Sequence, residues 1–216
     1  MKHTTSFAVT RVHLPRFLEI IERQFTNCGV KYAFSEDAEW TDAITSMVPT
    51  WVEGTIIKYV GRYRQYGAER DLIKIATYAF ILAIKHGLVE DDPPPPIRGL
   101  YCTTVGEKAR QWPQFRDMVA RIHECLIENR RTYFIPDAMS GFDITRQFDD
   151  LSNLTQILIQ IQQFEYQRAE RKRWLMPIVA FLCFIQWVQD GHHLNAKHDE
   201  DDPAVTNGEK KDVEEV

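Results

Sequence analysis

Residues Trp51 to Gly87, WVEGTIIKYVGRYRQYGAERDLIKIATYAFILAIKHG, constrain the fold more than any other stretch. Apolar residues recur at helical spacing on both sides of one glycine, Gly67. The pattern predicts a helix over Trp51–Tyr66, a break at Gly67, and a second helix over Ala68–Lys85 that ends by Gly87. The second helix should bury Leu72, Ile75, Ala76, Ala79, Phe80 and Ala83. Lys58, Arg62, Arg64, Arg70 and Lys74 gather near the turn. Such a cationic rim can hold a phosphate or keep the hairpin soluble.

Helical periodicity continues on either side. Leu14 to Phe25 places Phe17, Leu18, Ile21 and Phe25 on one face, with Pro15 suited to a first turn and Asn27 and Gly29 to a stop. Val30 to Phe34 reads as a short extended piece. Ser35 is a candidate N-cap for a helix through Asp42 and Ile44 that ends before Pro49. Glu90 to Gly99 contains four consecutive prolines and predicts a stiff connector. Pro113 to Asn129 forms an amphipathic helix on Phe115, Met118, Val119, Ile122 and Leu126. Arg131 to Phe148 reads as a loop. A helix from Leu151 to about Arg171 precedes another over Trp174–Gln189. Leu72–Gly87 and Leu175–Gly191 share a pattern, as two core helices of one bundle would.

These elements predict an all-α protein. Residues 1–89 form a helical bundle with the cationic hairpin, 90–99 the connector, 100–194 a second helical layer, and 195–216 a disordered acidic tail. The last helices are too apolar to stand alone, so they either complete the bundle or form a dimer interface.

Charge narrows the partners. The net charge is −5. Residues 196–216 carry eight acids and three lysines, which leaves the rest balanced at 23 of each sign. A neutral body argues against bulk nucleic-acid binding, which needs surplus positive charge. The four cysteines are far apart without metal spacing, which predicts reduced thiols in the cytoplasm. Trp174 to Val188 is apolar for 15 residues, against about 20 for a membrane span, so a buried helix is expected.

Two motifs can carry chemistry. Glu19 and Glu22 form E-x-x-E, and Glu39 and Asp42 form E-x-x-D. Residues three apart on a helix share a face, so each pair can present two carboxylates to Mg²⁺. The other reading is two solvated helix faces. The order of the pairs resembles that of the MazG-like, all-helical nucleoside triphosphate pyrophosphohydrolases. That resemblance implies Glu19, Glu22, Glu39 and Asp42 as Mg²⁺ ligands, Glu22 as the catalytic base for water, cleavage between the α and β phosphates, and assembly as a homo-oligomer.

The second motif is the hairpin. Lys58, Tyr59, Arg62, Asp71, Leu72, Lys74 and Tyr78 match the recurring pattern of a family of small phage helical proteins, over about forty residues. That resemblance implies a phage origin and host-cell cytoplasm. Lys58 and Arg62 share a face, and Asp71 can pair with either across the turn. The cations either fix the hairpin through ion pairs or bind phosphate through Lys58, Arg62 and Lys74. Trp40, Trp51, Tyr59, Tyr63 and Tyr66 can stack a nucleobase or pack in the core. His13 and His123 read as isolated, His123 on a polar face, and His192 and His193, ahead of the acidic run Asp199 to Asp202, as solvated or as a loose divalent-ion site. The sequence thus predicts a Mg²⁺-dependent (deoxy)nucleoside triphosphate pyrophosphohydrolase of phage type. Its alternative is a non-enzymatic helical protein that binds a host or phage protein.

Overall fold

The computed structural model describes residues 7–31, 33–35, 38–39, 51–85, 105–127, 132–133, 142–143 and 169–195. Five long helices make the architecture: α1 (Phe7–Lys31), α2 (Trp51–Tyr66), α3 (Glu69–Lys85), α4 (Val105–Ile127) and α5 (Ala169–Gln189). The all-α expectation holds. Two short antiparallel ladders accompany the helices, β1 (Ala33–Ser35) with β2 (Ala38–Glu39) and β3 (Thr132–Tyr133) with β4 (Phe142–Asp143).

The hairpin forms as its sequence dictates. Gly67 takes a left-handed conformation (φ 62°) and its N–H donates to the Tyr63 carbonyl at 2.8 Å. That bond closes the last turn of α2, and glycine adopts this φ without a Cβ penalty. Glu69 and Asp71 then lie in the first turn of α3, where negative charge favours the helix dipole.

Helix α3 is the centre of the molecule. Twelve of its 17 residues are buried, so it keeps little solvent face. Its most extensive partner is α5, followed by α2. Leu72, Ile75, Ala76, Ala79, Phe80 and Ala83 are all buried, as their spacing predicts. Phe80 packs at ring-centroid distances of 5.1 Å on Phe25 of α1 and on Trp112 and Phe115 of α4. Phe17 of α1 meets Phe184 and Trp187 of α5 at 5.4 and 5.5 Å. All five helices therefore share one core. Leu175 to Ile185, Trp187 and Val188 are buried within the single chain. Of the two roles open to the last helix, completing the bundle is the one observed.

Several boundaries differ from expectation. Pro15, Pro113 and Pro177 lie inside α1, α4 and α5, not at helix starts. Proline removes one backbone donor, and packing on both sides of each position outweighs that local loss. Helix α1 runs through Asn27 and Gly29 to Lys31. Helix α5 begins at Ala169, so no break separates Arg171 from Trp174. The helix expected from Ser35 through Asp42 is corrected at Ala38–Glu39, which pair with β1 as a strand. The proline-rich connector, the stretch over 151–168 and the acidic tail from 196 lie outside the described residues. No helix among the described residues is long and apolar enough to cross a membrane.

Candidate functional site

Helices α2 and α3 bring the three predicted cations together. Lys58 and Arg62 stand one turn apart on α2, and Lys74 projects from α3 across the hairpin. All three converge on Tyr59. Lys58 Nζ lies 4.8 Å from the ring centroid, Lys74 Nζ 5.0 Å and Arg62 Cζ 5.6 Å. Each is within cation–π range of the electron-rich ring face. Lys74 Nζ also donates to the Tyr59 hydroxyl at 3.2 Å. Tyr59 stacks with Tyr78 at 6.0 Å, and Tyr78 meets Trp51 edge-on at 5.7 Å.

Asp71 is the counter-charge. It is fully buried, and Arg62 Nε sits 3.5 Å from its Oδ2. The sequence left Lys58 or Arg62 open as its partner, and Arg62 is the one observed. Neither Asp71 oxygen has a hydrogen bond of good geometry among the described residues. Three cations thus share one tyrosine ring and, among the described residues, a single paired carboxylate. Like charges this close repel, and an added anion relieves them.

The carboxylate candidates are arranged differently. Glu19 and Glu22 lie on the exposed face of α1. Glu19 Oε1 accepts from Arg23 at 3.0 Å, with the two side chains 59% and 51% exposed. Glu22, Arg23, Thr26 and Glu19 line a shallow open depression of about 320 Å³. Glu39 lies on β2, so the helical argument for its sharing a face with Asp42 fails there. Asp42 itself is outside the described residues. Among the described residues no three His, Cys, Asp or Glu side chains group as metal ligands.

A second polar cluster was missed by the sequence reading. At the end of α5, Gly191 turns the chain into a 3-10 segment, His192–Leu194. The Tyr63 hydroxyl donates to Asp190 Oδ2, and His192 Nε2 lies 2.9 Å from the same hydroxyl. Gln186 donates to Asp190 at 2.7 Å, and Trp187 Nε1 donates to Glu69 at 2.6 Å. Burial raises the Tyr63 pKa, and the bond to Asp190 raises it further. His13 is not isolated, since its ring centroid is 4.7 Å from that of His193. His123 is not on a polar face. It is buried, lies 2.9 Å from Thr10 Oγ1, and burial lowers its pKa, with Arg11 adding to that. No local spacing signals the contacts of Tyr63 with Asp190 and His192 or of His123 with Thr10, because their partners lie more than 100 residues apart.

The fold and hairpin define the class: an all-helical protein that presents a mixed cationic and aromatic face. No family model, curated protein or solved structure matches the chain.

Proposed function

We propose that this chain is a nucleotide-binding helical protein whose ligand is held by the hairpin face of Lys58, Arg62 and Lys74. The convergence of three cations on the Tyr59 ring, with one paired carboxylate among the described residues, supports the reading. Phosphate oxygens would accept charge-assisted bonds from these side chains, with Arg62 suited to a bidentate contact. Tyr66 is 67% exposed and lies two turns along α2 from Tyr59, roughly 10 Å by helical rise. That spacing suits phosphates at Tyr59 and a base stacked on Tyr66.

The exposed Glu19–Arg23 pair and the strand at Glu39 favour binding over the Mg²⁺-dependent hydrolysis that the MazG-like resemblance implies. A fluorescent nucleoside triphosphate titration tests the binding. Saturable binding should weaken about tenfold or more in Lys58→Gln/Lys74→Gln, as loss of charge-assisted contacts requires, and should be unchanged in Glu19→Gln. Absent binding, or equal binding by the double variant, would overturn the reading. Pyrophosphate release with Mg²⁺ that Glu22→Gln abolishes would restore the hydrolase.

A further inference from the structure

We propose that residues 190–195 form an acid-released clasp, closed at neutral pH by the tilted ring contact of His193 with His13 and opened when His193 takes up a proton. The segment is tied to three helices. Arg16 of α1 donates to the Asn195 carbonyl at 3.3 Å. Tyr63 of α2 bonds Asp190 and His192. Glu69 of α3 accepts from Trp187, just before the segment, and the Trp187 ring lies 6.1 Å from that of His193. The chain beyond Asn195 carries eight acids and three lysines, so the clasp directly precedes a charged stretch of sequence.

The charges around His193 decide the direction. His13 and Arg16 face it from α1, and His192 adjoins it on its own turn. A proton on His193 puts a cation in a partly buried site, 4.7 Å between ring centroids from His13 and with Arg16 nearby. His192 is engaged elsewhere: Tyr63 donates to Asp190, so His192 Nε2 carries a proton and donates to Tyr63. Among the described residues no third ligand joins the pair as a metal site.

Burial lowers the His193 pKa, and His13 lowers it further, against an opposing contact with the Val188 backbone. The closed clasp therefore binds fewer protons than the open one at a pH below the ordinary histidine value of about 6.5. Closure is favoured above that value and weakens as pH falls below it.

Hydrogen exchange reads the clasp directly. The Asp190, Gly191, Leu194 and Asn195 amides donate to Gln186, Val188, Gly191 and His192 and should be protected. After correction for intrinsic rates, their protection should fall about tenfold between about pH 7.5 and about pH 5.5, near the limit for one proton per pH unit. The amides of Leu72 to Ile84 should keep theirs. His193→Asn should reduce the acid loss to less than about twofold, and His13→Asn should reduce it by a smaller factor, because the burial of His193 remains. His13→Asn leaves the turn's own residues in place, so it carries the test if His193→Asn opens the clasp at every pH. Equal wild-type protection at both pH values would overturn the proposal. So would an undiminished loss in His13→Asn, or a parallel loss across Leu72 to Ile84.

Discussion

Tyr59 and Tyr63 stand one turn apart on the same helix, and their surroundings are electrically opposite. Tyr59 is ringed by Lys58, Arg62 and Lys74, and its hydroxyl accepts a hydrogen bond from Lys74. Tyr63 reaches past the hairpin to α5, where its hydroxyl donates to Asp190 and lies beside His192. Burial and Asp190 hold that phenol in its protonated form. A four-residue step therefore separates a cationic face from a contact that closes the fold. The cations of the first are partly or fully exposed. The second is spent on internal bonds. Residue type alone does not assign a role; the neighbours brought by tertiary packing do.

Both environments hang on one scaffold, and the largest effect should come from breaking it. Phe80→Ala removes a ring shared by α1, α3 and α4 and should cost about 3–5 kcal/mol, measured by denaturant unfolding. Such a loss would blur the two tyrosines alike. Tyr63→Phe should sharpen the contrast. It deletes a donor to a carboxylate and should cost about 1–2 kcal/mol. Tyr59→Phe removes only an acceptor for Lys74 and should cost about 0.5 kcal/mol or less in the same assay. Equal losses would erase the distinction between them. Gly67→Ala should cost about 1 kcal/mol by placing a Cβ at positive φ, since no atom lies close enough to clash. Glu19→Gln should cost about 0.3–0.5 kcal/mol, the value of an exposed helical pair.

The hairpin was legible because its signals are local. Gly67, the buried stripe of α3 and a pairing of Asp71 with either Lys58 or Arg62 follow from helical spacing and one turn. The shared pattern of Leu72–Gly87 and Leu175–Gly191 marked α3 and α5, which do pack together as core helices. Helix ends read from Pro15, Gly29 and Pro177 failed, because packing along the helix overrode one lost bond or one flexible residue. The acidic pairs were ambiguous for a different reason. Spacing on a helix says which carboxylates share a face, but not whether the segment is a helix, and Glu39 lies on a strand. The histidine contacts carried no spacing at all, since His13 meets His193 only after the chain has folded.

The central claim is that the Tyr59 face, not the Tyr63 face, receives a nucleotide. Ring-labelled tyrosine NMR, with signals assigned by Tyr59→Phe and Tyr63→Phe, tests it most directly. Addition of a nucleoside triphosphate should shift the Tyr59 resonances with saturation and leave those of Tyr63 in place. An unmoved Tyr59 signal at saturating nucleotide, or a shift confined to Tyr63, would contradict it.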